Sequence, residues 1–283
     1  MKDSLKRYFP LFLFPTLLAF VIAFLIPFLL GLFLSFTRFT TVNNATFVGF
    51  ENYRRIFASN SDFLRALWFT FKFTVVSLLT VNFFAFVFAL ILSRGIKGTN
   101  AFRTVLFTPN LIGGIVLGYI WQLIINGVLL KMGVDITFSA KYGFWGLVVL
   151  MNWQMIGYMM VIYIAGLQSI PHELKEAAAI DGATPMQSLR HVVLPLLSSS
   201  FTICLFLTLT NSFKIFDQNF ALTGGAPGRE TAMLALDIFK TFYGSAGSEG
   251  IGQAKAVIFF LLVSVIALLQ LFLSKKAEGK YEA

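Results

Sequence analysis

A chain of 283 residues that is 57% hydrophobic, carries 34 phenylalanines and has a mean hydropathy of +0.80 is too apolar for a soluble domain and reads as an integral membrane protein. The formal net charge of +9 does not point to nucleic acid, because Lys and Arg are scattered between apolar blocks and form no basic stripe with interleaved stacking aromatics. The one cysteine, Cys204, lies inside an apolar segment, which leaves no disulfide framework or cysteine metal site within the chain and makes a small packed side chain its expected role.

After a short basic tail, Met1 to Arg7, an apolar segment runs from Phe9 to Phe36 and contains Pro10, Pro15 and Pro27. It is longer than a secretory signal core and has no clean small-x-small cleavage site, so an uncleaved first span is expected. The segment 37–72 contains GFENYRRIF, read as a short interfacial helix whose Arg54 and Arg55 are solvated or lipid-facing, and Lys72 can snorkel at the mouth of the second span. Further apolar blocks at about 73–92, 104–125, 143–166, 195–216 and 256–273 suit a hydrocarbon core of ~30 Å, giving six spans and a single transmembrane domain over 1–283. Pro109 and the glycines 113, 114 and 118 make the third span either deformable or close-packing, with close packing the favoured use.

Between the fourth and fifth spans stands the polar stretch PHELKEAAAIDGATPMQSLRHVVLP, residues 171–195. Pro171 suits a first helical turn, Glu173 follows where the helix dipole favours an anion, and the helix continues to about Ile180. Gly182 breaks it. Thr184, Pro185 and Gln187 then spell an N-cap, a first helical position and a capping box. Two short helices therefore meet at Gly182-Ala183. Ala177, Ala178 and Ala179 are small enough for another protein's groove to close on the backbone, with Glu176 and Asp181 as polar contacts, so the bent knob suits docking as well as it suits an ordinary surface loop.

The fourth span carries Asn152-Trp153-Gln154, Tyr158 and Tyr163; the fifth is rich in Ser and Thr and ends with Asn211 and Ser212. Polar groups in hydrocarbon must find partners or line a cavity. Thr208, Asn211, Ser212 and Ile215 share a helix face by i, i+3, i+4, i+7 spacing, as Gln154 and Tyr158 do by i, i+4. Aromatic faces beside amides and hydroxyls suit a sugar; the alternative is that these groups glue helices together. Lys214 and Asp217, three apart, are expected to form an ion pair near the end of the fifth span.

The order Glu176-Ala177-Ala178, then Gly182, then Val192-x-Leu194-Pro195 resembles the EAA signature of the membrane subunits of ABC importers, with Val192 where that family usually has Ile. LQSIPHELKEAAAIDGA, from Leu167, looks like the carbohydrate-uptake branch, the multiple-sugar and maltose-type permeases. FDQNFALTGGAPGRETAMLALDIFKTFY, from Phe216, resembles the segment after the fifth core span in the larger-partner sugar permeases, including the turn Gly224-Gly225-Ala226-Pro227. Similarity covers most of 100–273; without the maltose protein's extra spans and large insert, the chain is nearer the compact multiple-sugar or glycerol-phosphate type.

The resemblance implies an all-α polytopic membrane protein of the type I ABC importer permease fold, with a cytoplasmic coupling loop over 167–194. It implies ATPase-coupling roles for Glu176, Ala177, Ala178, Asp181, Gly182 and Ala183, and sugar contacts at or near Gln154, Tyr158, Thr208 and Ser212; Asn211 joins that set by helix position. It also implies partners: a second homologous permease, two ABC ATPase subunits that use ATP and Mg, and an extracytoplasmic sugar-binding protein. No cofactor and no nucleic acid are expected on this chain.

Eleven basic residues fall on each side, so orientation rests on density: the short pieces with Lys2, Lys6, Arg7, Arg94, Lys97, Arg103, Lys275 and Lys276 put both termini and the 167–194 loop in the cytoplasm of a bacterial or archaeal cell. No G-x-x-x-x-G-K-[ST] occurs, His172 and His191 lack metal-ligand spacing, and no catalytic set is visible, so the chain is not expected to be an enzyme. Phosphate in the path would call for cations, and only Lys214 is available, so an oligosaccharide is the first choice of substrate and a glycerol-phosphate-type substrate the second. A secondary carrier would need midplane ion-handling groups or an inverted repeat, and neither is apparent.

Overall fold

The computed structural model describes residues 13–58, 62–95, 97–244 and 246–278. The basic tail with Lys2, Lys6 and Arg7, the expected start of the first span at Phe9 and Pro10, and Lys280 lie outside the described residues. Among the described residues, five helices are long and apolar enough to cross a membrane, or six when a bent pair counts as one span. The chain divides into two compact units, the described residues of Met1–Phe63 with Ile238–Phe260, and those of Leu64–Asp237 with Leu261–Ala283.

In the first unit, helix α1 (Leu13–Leu34) is interrupted by a π-turn at Val21–Leu25, which ends two positions before Pro27 in the first turn of the next stretch. The all-α expectation meets a small exception here: β1 (Thr37–Arg38) pairs antiparallel with β2 (Thr46–Phe47), Thr37 opposite Phe47. Thr41 and Asn44 close the connecting turn with a capping box. Helix α2 (Glu51–Ile56) is the expected interfacial helix. Its buried Asn52 donates to the carbonyls of Ser35 and Thr37 at 2.9 and 2.8 Å, fixing the chain as it leaves α1. Arg55 is not simply solvated, for it pairs with Glu51, which also takes Arg38 at 3.2 Å.

The second unit is built on α3 (Asp62–Leu92), α4 (Thr99–Phe107), α5 (Gly114–Leu129) and α6 (Ala140–Ser169). Helix α3 starts at Asp62 instead of 73, because Arg65, Trp68 and Lys72 prolong the helix at the edge of its apolar block. The expected third span 104–125 is not one helix. Pro109 stands in a 3₁₀ turn, Thr108–Leu111, and Gly113 is extended with ψ 138°, so α4 is separate from the spanning α5. Close packing accounts for the other glycines of that segment: a Cβ on Gly118 would lie 2.6 Å from the Ala221 Cβ, and one on Gly114 would lie 2.7 Å from the Asp217 Cβ.

Helix α6 is the centre of the core, with Leu147, Leu150, Met159, Met160 and Tyr163 fully buried. Its Gly157 faces the carbonyl of Leu106, which lets α4 cross at backbone distance. Before α6, the Asp135 carboxylate accepts from the Thr137 hydroxyl and N–H at 2.6 and 2.7 Å, which hold its carboxyl below the usual carboxylate range.

After α6 come α7 (His172–Ile180), α8 (Pro185–Leu196) and α9 (Ser198–Lys214). The expected fifth span 195–216 is bent: α8 and α9 meet at 69°, just after Pro195 and with Leu197 at φ −89°, ψ 3°. Next are α10 (Asp217–Leu222), α11 (Leu234–Gly244) and α12 (Glu249–Glu278). The Gly224–Pro227 turn is organised by the buried Asn219, which donates to Thr223 Oγ1 and the Thr231 carbonyl and accepts from the Met233 N–H at 2.9 Å.

Candidate functional site

The 167–194 loop folds from local rules. Helix α7 begins at His172, so Pro171 is the N-cap residue, ψ 137°, one position before the first turn. At the other end Asp181 is the C-cap and Gly182 is left-handed at φ +80°. The Ala183 N–H donates to the Ala178 carbonyl at 2.9 Å and the Gly182 N–H to the Ala179 carbonyl at 3.1 Å, the two bonds of a Schellman motif. Two residues on, Gln187 Oε1 accepts from the N–H and hydroxyl of Thr184, each at 2.8 Å, while the Gln187 N–H returns to Thr184 Oγ1 at 3.4 Å. One helix is stopped and the next started within a few residues, so the bend is set by caps instead of by neighbours.

The knob is also uncovered. Glu176, Ala177, Asp181 and Gly182 are exposed, and Ala178 and Ala183 are half-buried. Ile180, 86% exposed, and Met186, 71% exposed, flank the Gly182 turn. The sequence reading weighed the Ala row and passed over this pair, whose signal was two large apolar residues beside a predicted break. His191 hydrogen-bonds through Nδ1 to the Gln187 carbonyl at 3.0 Å. Among the described residues, no three His, Cys, Asp or Glu side chains gather as a metal would require.

The polar residues of the spans divide into two groups. Thr208 and Ser212 are fully buried in the packing of α9, whereas Asn211 is exposed and donates to the carbonyl of Leu207, at 2.8 Å. Ile215 has left the helix, which ends at Lys214. The expected shared face is therefore cut by the packing: at 100° per residue, positions 208 and 212 fall inside the buried arc and 211 outside it. Thr208 Oγ1 accepts from Asn82 Nδ2 at 3.2 Å, and Ser212 Oγ is buried with no hydrogen-bond partner among the described residues.

Gln154 is buried and its Oε1 accepts from Gln218 Nε2 on α10 at 2.8 Å. Tyr158, half-buried, sets its ring edge-on to Phe107 at 6.3 Å. Tyr163 is fully buried and donates to Asn82 Oδ1 at 2.9 Å. Asn82 was missed by the sequence reading, although one amide inside the apolar run of α3 is the signal that flags a polar link between spans. Asn152 makes a second link, donating to Thr80 Oγ1 at 2.9 Å. Lys214 and Asp217 do not pair among the described residues: Lys214 is in the last turn of α9 and Asp217 in the first turn of α10, where each helix dipole favours the charge it meets. Asn211, Lys214 and Asp217 are all exposed, the first two near the end of α9 and the third at the start of α10.

A family model described as binding-protein-dependent transport system inner membrane component matches residues 83–279. The probable starch degradation products transport system permease protein of Thermoanaerobacterium thermosulfurigenes is 44% identical over 277 residues, 95% of this chain and 94% of that protein. The multiple sugar-binding transport system permease protein of Streptococcus mutans is 33% identical over 98% of this chain and 99% of its own length. In fold, the chain is similar to one chain of a bacterial ABC transporter involved in the import of the acidic polysaccharide alginate, with a TM-score of 0.81 at 23% identity, covering 97% of this chain and 98% of that one.

Proposed function

The chain belongs to the binding-protein-dependent transport system inner membrane component family, and from that membership we propose that it is one permease subunit of an ATP-driven importer of oligosaccharides. A single permease domain forms half of the translocation pore, and a homologous permease forms the other half. Two ATPase subunits hydrolyse ATP with Mg in the cytoplasm, where both termini of this chain also lie, and an extracytoplasmic binding protein delivers the sugar. The relatives named for starch degradation products and multiple sugars support the substrate class.

The observation that carries the coupling role is the uncovered, doubly capped knob. Glu176, Ala177, Ala178, Asp181, Gly182 and Ala183 present one rigid surface to a groove on the ATPase, and Ile180 and Met186 are buried in the joint. Closure of the ATPases moves this knob as a lever, which requires contacts that differ between the inward-facing and outward-facing states. Caps on both sides of the bend give the lever its stiffness.

Along the path, Asn211 is the best supported of the expected substrate contacts. An exposed amide close in sequence to the exposed Lys214 and Asp217 is costly against lipid and suits a wetted wall facing the second permease. Thr208 and Ser212 stand behind that wall, Gln154 acts through its bond to Gln218, and Tyr158 offers an aromatic face for stacking on a sugar ring.

Gentle extraction of the tagged chain from its native membrane, followed by mass spectrometry of what co-purifies, tests the proposal. A second permease with a P-loop ATPase is the expected result. A chain that purifies alone and moves sugar into liposomes without ATP would identify a carrier instead.

A further inference from the structure

Trp68 stands on α3 between two largely apolar cavities, only one of which also carries cationic side chains. One, of about 400 Å³, is lined by Arg65, Lys72 and Lys141 with Phe144 and a single carboxylate, Glu230, besides Trp68 itself. The other, of about 420 Å³, is lined by apolar side chains, among them Leu67, Phe71, Phe213 and Leu262, and again by Trp68. The division follows from helix geometry: 65, 69 and 72 lie on one side of α3 and 64, 67 and 71 on the next, with 68 shared. Both cavities belong to the unit built on α6.

The location is a membrane boundary. Lys141 and Phe144 are at the N-terminal end of α6, away from the 167–194 loop, and Arg65 and Trp68 are at the N-terminal end of α3. Trp68 is 59% exposed and Lys72 Nζ lies 5.7 Å from the centre of its ring. Trp with Lys and Arg at a helix end is the side-chain set of the headgroup level. A soluble anion or an acidic sugar would use only the basic cavity, and an apolar molecule only the other. A ligand that fills both must carry negative charge and hydrocarbon within the width of one indole.

We propose that the two cavities hold one anionic phospholipid, its phosphodiester against Lys72 and Lys141 and an acyl chain along Leu67, Phe71, Phe213 and Leu262. Lys72 and Lys141 beside the one carboxylate, Glu230, supply the charge complementarity for a phosphodiester. Trp68 separates headgroup from chain and sets the depth at which the lipid sits. The assignment stands independently of which sugar is transported.

Native mass spectrometry of the full chain, in the complex in which it is extracted, tests it after exchange into neutral detergent and titration with dioleoyl phosphatidylglycerol or dioleoyl phosphatidylcholine. Expected is about a tenfold preference for phosphatidylglycerol, retained in Lys72→Arg/Lys141→Arg and falling to near parity in Lys72→Gln/Lys141→Gln. Phosphatidylcholine retention stays the same in both variants. Parity in the wild type, or an undiminished preference in a folded Gln double variant, overturns the site. Displacement of the lipid by glycerol 1-phosphate or by an oligouronate at equal concentration also overturns it, by showing that the basic cavity serves a soluble anion. If the Gln variant does not fold, quenching of Trp68 by phosphatidylglycerol with brominated chains decides: the wild type loses fluorescence, Trp68→Phe loses less, and equal losses refute the placement.

Discussion

The hydroxyl of Tyr163 donates to Oδ1 of Asn82 at 2.9 Å, and the other end of that amide donates to Thr208 Oγ1 at 3.2 Å. One side chain thereby joins α3, α6 and α9: its nitrogen also donates to the Leu78 carbonyl of its own helix at 2.8 Å, and its remaining bonds form only when α6 and α9 are seated against α3. In hydrocarbon no water can take the place of a missing partner, so the amide acts as a register pin between spans that are otherwise held by apolar packing.

Asn82→Leu is predicted to strip partners from the buried Tyr163 and Thr208 hydroxyls and destabilise the chain by about 1–3 kcal/mol. Thermal unfolding in detergent would measure it. The double variant with Tyr163→Phe should lose less than the sum of the singles; strict additivity would mean that the two residues do not act together.

Gly182→Val puts a β-branched residue at φ +80°, at a local cost of about 1–2 kcal/mol, and should misdirect the second knob helix. The expected outcome is normal insertion into the membrane, loss of the co-purifying ATPase, and no uptake. Gly182→Asn should be milder, because Asn tolerates the left-handed conformation. Glu176→Lys is expected to impair uptake without harming the fold. Normal transport in both Gly182→Val and Glu176→Lys would remove the knob from the coupling mechanism.

Asn211 and Thr208 make a contrasting pair. Asn211→Leu should reduce sugar uptake severalfold while leaving the unfolding temperature nearly unchanged, since its amide is exposed and bonded only to its own helix. Thr208→Val should do the reverse, lowering stability by about 0.5–2 kcal/mol through the lost bond to Asn82. Comparing initial uptake rates with thermal midpoints for the two variants would show whether the exposed arc of α9 or its buried arc meets substrate.

A side chain at Gly157 would run into the Leu106 carbonyl, whereas one at Gly127 meets nothing within 4 Å. Gly157→Val is therefore expected to push α4 off α6, at a cost of about 1–3 kcal/mol or more, and to lower the amount of intact protein in the membrane. Gly127→Val should be tolerated. Quantitative blotting of membranes and resistance to a soluble protease would separate the two; equal levels would refute the close crossing.

The amino-acid order by itself determined what depends on a few neighbouring residues. Apolar length announced the spans. Gly182 followed by Thr184-Pro185-x-Gln187 announced a stop and a start, because each bond involved reaches no more than five positions along the chain. The family resemblance was legible for the same reason, since it rests on contiguous runs around Leu167 and Phe216. Pro109 was visible as a residue that makes the third span deformable, but hydropathy alone does not register a break, and the third and fifth blocks were read as continuous.

Only the tertiary structure decided which arc of each helix is covered. Helical spacing put Thr208, Asn211 and Ser212 near one another, yet whether they face a pore or a neighbouring helix depends on α3 and α6, contributed by distant parts of the chain. The partners of Asn82 outside its own helix are 81 and 126 positions away, and those of Gln154 and Gly157 are 64 and about 50 positions away. Lys214 and Asp217 looked like a pair at three-residue spacing, but the end of the helix at Lys214 turned them into the termini of two different helices. Local backbone energetics operate within one helical turn; packing and the satisfaction of buried polar groups are settled between segments that meet only when the chain has folded.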